Sequence, residues 1–263
     1  MKANELLQSY ADGLRDFSEA ELASSSLVGA RLCHINLEAA ILNDVNLVKA
    51  DLFNAKLSKV RFVRANLSKA DLGEANLREA NLQGANLRGA NLRGATLIDA
   101  NLSDTDLSGA CLSGAKLSGV NLMGAKLTNA NLRSASLNKA KLIKTDFTNA
   151  DLSRANLYQA IFSSVKLQNT ILFDATMPNG KYFSPPDLYM VDDNDNFNNS
   201  NALKLTTSEL FQLEASIQDA VAILYWNIPR KENTNLVKIR NTIMQQLRKY
   251  INLKISLFNS LEQ

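Results

Sequence analysis

Few residues of this chain carry groups that could take part in catalysis or metal binding. The only histidine is His34, and the only two cysteines are Cys33 and Cys111. A zinc site needs about four Cys, His or carboxylate ligands, and a hydrolytic triad needs a base beside a nucleophile. Neither arrangement can be assembled around His34 from the sequence spacing. We therefore expect no metal site, no cofactor and no enzymatic activity.

The elements that would position such groups follow a strict five-residue period. From Phe17 to Leu172 every fifth residue is Leu or Phe, at 32 successive positions. The period fits neither a helix at about 3.6 residues per turn nor a strand at about 2, so the backbone must turn within every repeat. The Leu or Phe and the Ala two residues before it are predicted to point inward. Asn or Asp before the Leu can bond local backbone, and Gly two residues after it tolerates a positive φ.

The repeat itself resembles a known family. Residues 75–89 read Ala-Asn-Leu-Arg-Glu, Ala-Asn-Leu-Gln-Gly and Ala-Asn-Leu-Arg-Gly. Tandem Ala-(Asp/Asn)-Leu-X-X units of this kind resemble the pentapeptide-repeat family, over about residues 15–177. The resemblance implies an all-β solenoid, a right-handed quadrilateral β-helix with four repeats per coil. Thirty-two repeats then give about eight coils, or a length of roughly 38 Å at about 4.8 Å per coil.

This register makes residues twenty apart stack in columns. Cys33 and Cys111 then lie on one wall about 19 Å apart, too far for a disulfide. The carboxylates of Asp99, Asp104 and Asp106 fall on adjacent walls. Polar repeat positions generate such groups by chance, so we interpret them as surface residues.

Both ends of the chain depart from the repeat. Residues 1–14 are predicted to form an N-terminal helical cap, with a helix over 3–12 that ends at Gly13. This segment also resembles the N-terminal cap of bacterial, especially cyanobacterial, members of the family. The side chains expected to cover the first coil are Leu6, Leu7, Tyr10 and Leu14.

The C-terminal third reads differently. Residues 178–205 are predicted to be a turn and an acidic, Asn-rich linker. Residues 206–263 carry apolar residues at helical spacing on both sides of Pro229, which predicts a C-terminal helical hairpin. The hairpin packs on the β-helix or on itself in a monomer, or its apolar stripe forms a homodimer. Periodicity does not separate these alternatives.

Charge weighs against one functional class and leaves others open. Residues 15–177 hold 19 Lys or Arg and 15 Asp or Glu, a net charge of +4. A DNA-mimicking rod, which the resemblance brings to mind, should be strongly negative. Nucleic-acid binding would need clustered cations, and only Arg78, Arg88, Arg93 and the basic segment 230–263 offer them. That basic segment with its apolar stripe also allows a membrane-peripheral structural role.

We expect a non-enzymatic protein-interaction scaffold or regulator. The resemblance implies this class, because some similar proteins regulate cell differentiation through protein contacts. There is no 18-residue apolar run, and the start of the sequence lacks the apolar core of a signal peptide, so we expect a cytoplasmic protein without membrane insertion. Its partner, which the sequence does not identify, would meet the walls or the helical tail. Outward register gives the candidate contacts Val28, Val48, Phe53, Arg93, Arg133, Met123 and Ile143.

Overall fold

The computed structural model describes residues 1–180, which form one helix followed by a stack of five-residue turns. Helix α1 spans Ala3–Ala11, and strands β1 (Lys141–Ile143) and β2 (Ile161–Ser163) pair in parallel. Elsewhere the strands are reduced to isolated parallel bridges. Within residues 1–180 no helix is long and apolar enough to cross a membrane. The predicted hairpin over 206–263 and most of the predicted linker lie outside the described residues.

The bridges confirm four repeats per coil. Each one joins a residue to the residue twenty positions ahead, from Asp16 with Asn36 to Asn156 with Thr176. The coil therefore has four walls, which we name A, B, C and D after the inward residues of the first coil. These are Phe17, Leu22, Leu27 and Leu32, and all four are buried.

One repeat illustrates how the backbone groups are paired. The N–H groups of Asn91, Leu92 and Gly94 donate to carbonyls of the neighbouring coils at 2.9, 2.7 and 3.0 Å. The N–H of Ala95 closes a turn on the Leu92 carbonyl at 3.1 Å. The N–H of Arg93 donates to the side-chain oxygen of Asn91 at 3.1 Å, as predicted for Asn or Asp before the Leu. All five N–H groups of the repeat are thus bonded, which fixes the wall as a rigid surface.

The corners lie two residues after each inward Leu or Phe and have positive φ. The glycines predicted at these corners have a positive φ, for example 66° at Gly84 and 68° at Gly109. Non-glycine corners adopt the same conformation, for example Ala39 at 58° and Lys59 at 59°. Because the corner residue is the third of a turn closed by a hydrogen bond, the geometry is that of a type II turn.

The interior is filled by the Leu and Phe side chains and the Ala residues beside them. Three threonines at Ala positions, Thr105, Thr145 and Thr170, are also buried. Their hydroxyls donate to the main-chain carbonyls of Leu102, Leu122 and Phe147 at 2.7, 2.9 and 2.8 Å. Each buried hydroxyl is therefore satisfied, which removes the cost of placing it among apolar side chains.

Helix α1 contacts the start of the β-helix through one face. Leu6 is fully buried, and the Tyr10 hydroxyl donates to the Cys33 carbonyl at 2.8 Å. The Arg15 guanidinium lies 3.9 Å from the centre of the Tyr10 ring. The expectation for Leu14 is wrong, because its side chain is 49% exposed. The helix ends at Ala11 and Gly13 turns the chain at a φ of 100°, so Leu14 leaves the helical face.

Candidate functional site

The early coils carry an apolar group on two adjacent walls, which we call the early patch: Val28, Cys33, Val48 and Phe53. Val28 and Val48 stack one coil apart on wall C, and Cys33 and Phe53 do so on wall D. Val28 is 54% exposed and Phe53 40% exposed, whereas Cys33 and Val48 are half-buried. The structure thus places the three predicted apolar contacts of this region on neighbouring columns.

Phe53 is held by a corner residue of the preceding coil and by its column neighbour in the next coil. Its ring meets the ring of His34 edge-on, with 6.1 Å between centroids. On the other side lies Gly73, where a Cβ atom would stand 3.2 Å from Cδ2 of Phe53. Sequence reasoning missed both supports. The signal was present, because Gly73 is a glycine at an outer position rather than at a corner, twenty residues after an exposed aromatic.

Cys33, a member of the early patch, is an unreactive thiol. Both cysteines are free, as the spacing argument predicted. Burial, followed by the hydrogen bond and the negative charge of Asp51, raises the pKa of the Cys33 thiol to about 11. The thiol therefore stays protonated near neutral pH and offers no nucleophile.

The two predicted arginines of wall D differ in their environment. Nη1 of Arg133 lies 3.1 Å from Oδ2 of Asp151, eighteen residues ahead. The same diagonal joins Arg88 to Asp106 on wall C, also at 3.1 Å. The residue eighteen positions after Arg93 is Cys111, which is no carboxylate. Within residues 1–180 the Arg93 guanidinium forms no ion pair. Both arginines are exposed, but Arg93 alone keeps its charge uncompensated by such a contact.

The predicted late contacts lie on wall B. Met123 and Ile143 stack one coil apart in the same column. Met123 is 43% exposed and Ile143 is half-buried. They therefore contribute a smaller apolar surface than the early patch does.

The groups that could have supported chemistry are not assembled into a site. Nδ1 of His34 lies 3.1 Å from Nδ2 of Asn54. Within residues 1–180 no carboxylate forms a hydrogen bond with the His34 ring. Asp99 leans over Gly119, and Asp104 over Gly124, each in its own corner column. Within residues 1–180 no three Cys, His, Asp or Glu side chains are placed to hold a metal ion.

Comparison with family models identifies the repeat. The model described as pentapeptide repeats, in 8 copies, matches residues 16–52, 46–84, 75–114, 115–154 and 140–177. These segments together span more than half of the chain. The family's fold is a right-handed quadrilateral β-helix, in agreement with the four walls and the bridges. No enzyme family is identified, and no curated protein matches the sequence.

Several solved structures are similar to this chain. HetL, a pentapeptide repeat protein involved in heterocyst differentiation regulation from the cyanobacterium Nostoc sp. strain PCC 7120, is 30% identical, with 69% of this chain and 99% of HetL covered and a TM-score of 0.40. A pentapeptide repeat protein from the Arabidopsis thaliana thylakoid lumen is 37% identical, with 37% and 68% covered and a TM-score of 0.37. A trypsin-treated variant of QnrB1, a plasmid-mediated fluoroquinolone resistance protein, is 22% identical, with 58% and 85% covered and a TM-score of 0.44.

Proposed function

This chain belongs to the pentapeptide repeat family, and we propose that it is a non-enzymatic scaffold that presents the outer side chains of its walls to a protein partner. The early patch is the main contact surface in this proposal. Arg93, Arg133, Met123 and Ile143 provide further contacts along the walls.

The observation that carries the proposal is the fixed exposure of Phe53. Single exposed apolar residues are common on protein surfaces and need no function. Phe53 differs because its ring is 40% exposed and is packed between His34 and Gly73. A ring held in this way loses little side-chain freedom when a partner covers it, and aromatic anchors of this kind dominate binding energy.

The backbone supports the same proposal. Each wall is tied to the next coil by main-chain bonds of about 2.7 to 3.0 Å, as at Leu92 and Gly94. Such a wall keeps its outward side chains at fixed spacing before a partner arrives. Binding to a preorganised surface avoids the cost of ordering loops at the interface.

We also propose that residues 1–14 act as the N-terminal cap and residues 15–177 as the interaction module. An uncovered first coil would expose apolar side chains and unpaired strand edges. Burial of Leu6 and the hydrogen bond from Tyr10 to Cys33 support the capping role. The segments 178–205 and 206–263 stay a predicted linker and a predicted helical module.

Affinity capture from an extract of the source organism tests the function. The full chain is compared with Val28→Glu/Phe53→Glu and with the control Ser113→Glu/Thr128→Glu, which places the same charges at the same repeat positions of walls D and C, three coils from Phe53 and five coils from Val28. We expect a protein retained by the wild type and the control and lost from the early-patch variant. Identical captured proteins from all three chains would overturn the proposal.

A further inference from the structure

Wall B and its two corner columns carry charges of both signs along the β-helix axis. In the corner between walls A and B, Glu19, Lys59, Asp99 and Lys139 follow one another at intervals of two coils. All four are exposed, and within residues 1–180 none of their side chains has a recorded hydrogen bond or ion pair. With exposed Glu79 between Lys59 and Asp99, the charges of this column from Glu19 to Lys139 read negative, positive, negative, negative, positive.

Two other columns of the same wall also carry charges of both signs: Glu21, Arg61 and Lys141 on the wall itself, and Asp44, Arg64, Asp104 and Lys144 in the corner between walls B and C. Glu21 and Lys141 stand next to Glu19 and Lys139 on the wall itself, and both are exposed. In the corner between walls B and C, Arg64 and Asp104 stand at the same levels as Lys59 and Asp99. Arg64 already binds Asp44 through Nε and Nη2, at 2.8 and 2.7 Å, which leaves its Nη1 available.

These charges do not serve the chain's own stability. Lys59 and Asp99 lie two coils apart, roughly 9.6 Å along the axis at about 4.8 Å per coil. That distance exceeds the reach of a direct ion pair. Pairs one coil apart do form within the chain, as Arg64 with Asp44 at 2.7 Å shows. In the column of Glu19 only Lys59 and Glu79 are opposite charges one coil apart, and within residues 1–180 no ion pair joins them.

We propose that two copies of this chain pack wall B against wall B, antiparallel, around a two-fold axis at the level of Glu79. Such an axis places the first coil of one copy opposite the seventh of the other, and the third opposite the fifth. Eight of the charges named above then meet an opposite charge on the second copy, whereas Asp44, Arg61 and Lys144 meet neutral residues. The pairs are Glu19 with Lys139, Glu21 with Lys141, Lys59 with Asp99 and Arg64 with Asp104. A two-fold contact repeats each pair, as isologous interfaces do.

The centre of wall B carries a ladder of asparagine side chains. The Nδ2 of Asn101 donates to Oδ1 of Asn81 at 3.3 Å, and the Nδ2 of Asn121 donates to Oδ1 of Asn101 at 3.1 Å. This ladder of short, neutral side chains faces Asn81, Arg61 and Ile41 of the second copy, so that the long Arg61 side chain lies opposite Asn101. The same symmetry brings exposed Met123 to the level of half-buried Ile41 of the second copy.

The arrangement also predicts how strong the contact is. Glu79 meets Glu79 of the second copy at the axis, which opposes association. One wall over seven coils is a narrow strip of roughly 34 Å, smaller than the interfaces of obligate dimers. We therefore expect a weak dimer that dissociates as salt rises, because exposed charges are screened. The corner between walls C and D offers no such surface, since its charges over residues 29–149 are Lys49 and Lys69 alone.

Charge exchange tests the dimer on the full chain. Sedimentation velocity is measured at about 50 µM protein in about 20 mM and about 500 mM salt, where screening lengths differ severalfold. Glu19→Lys/Glu21→Lys places four cations at the two ends of the strip, and Lys139→Glu/Lys141→Glu places four anions there. The four-residue variant that combines them exchanges the signs and keeps the net charge. Glu38→Lys/Glu74→Lys and Lys49→Glu/Lys69→Glu are the controls on other surfaces, and circular dichroism checks folding.

We expect a wild-type dimer at low salt and monomers at high salt. Each wall-B double variant should associate at least about tenfold more weakly, while the four-residue exchange and an equimolar mixture of the two variants restore the dimer. The controls should dimerise like the wild type. A wild type that is monomeric at low salt overturns the proposal. So does a dimer that is indifferent to the wall-B reversals, or a folded exchange variant that stays monomeric.

Discussion

The ring of Phe53 lies over Gly73, twenty residues ahead, so closely that a Cβ atom on the glycine would stand 3.2 Å from Cδ2 of the ring. The aromatic side chain therefore occupies space that another residue type at position 73 would fill. Its other edge faces His34. Gly73 in the same column and His34 in the adjacent corner thus decide how the Phe53 ring is presented on wall D.

Gly73→Ala should displace the Phe53 ring without unfolding the wall. Gly73 has no positive φ, so alanine meets no backbone strain there, but its methyl group would lie 3.2 Å from Cδ2 of the ring, 3.1 Å from Oδ1 of Asp71 and 3.2 Å from Nδ2 of Asn91. We expect a changed Phe53 rotamer in a crystal structure of the variant and weaker partner capture. Ser113→Ala, on the same wall, is the control. Gly114→Ala is unsuitable, because Gly114 is a corner residue with a positive φ. An unmoved ring would contradict this description of the patch.

Ala39→Gly should stabilise the protein by about 0.5 to 1 kcal/mol, opposite to the usual effect of glycine. Ala39 has a φ of 58°, where a Cβ atom is unfavourable by about 1 kcal/mol or more. Gly109→Ala should lose about 1 kcal/mol for the same reason, since nothing lies within 4 Å of its added Cβ. Urea unfolding measures both. Ala40→Gly, at a buried wall position, should destabilise, and equal losses for Ala39→Gly and Ala40→Gly would refute the argument.

Asp151 should contribute to stability at neutral pH and lose that contribution in acid. Partial burial raises the pKa of its carboxyl, but the hydrogen bonds from Ser153 and the Arg133 guanidinium outweigh burial and hold the pKa below 3.8. A lowered folded-state pKa means that the stabilisation is present above about pH 4 and is lost as pH falls through the folded value.

Asp151→Asn keeps the acceptor for the Ser153 N–H and removes the charge. We expect a loss of less than about 1 kcal/mol at pH 7, because Arg133 is largely exposed, and a shallower decline in stability between pH 4 and pH 2. Urea unfolding across this range, with Glu38→Gln as the control, measures the difference. If both variants follow the wild-type acid profile, the assigned role of Asp151 is wrong.

Cys33 should react slowly with disulfide reagents in the folded protein. Its pKa is raised to about 11, first by burial and then by Asp51, which leaves little thiolate at pH 8. In a Cys111→Ser background we expect labelling at least about tenfold slower than in urea. Asp51→Asn should accelerate it, because the amide keeps an acceptor and loses the negative charge. Equal rates in folded and unfolded protein would argue against this environment.

The period predicted which residues point inward, and the resemblance to the pentapeptide-repeat family supplied the four repeats per coil that assign each residue to a column. A five-residue repeat with no insertion leaves one way to bury a Leu and an Ala in each unit. The bridges between residues twenty apart confirm that register. Turn chemistry followed from residue type, as at Asn91 and Gly84.

Side-chain detail could not be predicted, because neighbouring coils decide it. Arg133 is paired and Arg93 is not, since one faces Asp151 and the other Cys111 on the diagonal. Ile143 and Met123 share a column, yet only Met123 is substantially exposed. Leu14 fits the helical pattern but follows the turn at Gly13, so periodicity placed it on the wrong surface.

The central claim is that the outer residues of the early coils contact a protein, and site-specific photocrosslinking tests it most directly. A photoreactive phenylalanine analogue at position 53 of the full chain, with position 113 on the same wall as the matched site, is irradiated in extract of the source organism. The account predicts one defined protein adduct from position 53 that is absent from position 113 and suppressed by Val28→Glu. No adduct at position 53, or the same adducts from both positions, would contradict it.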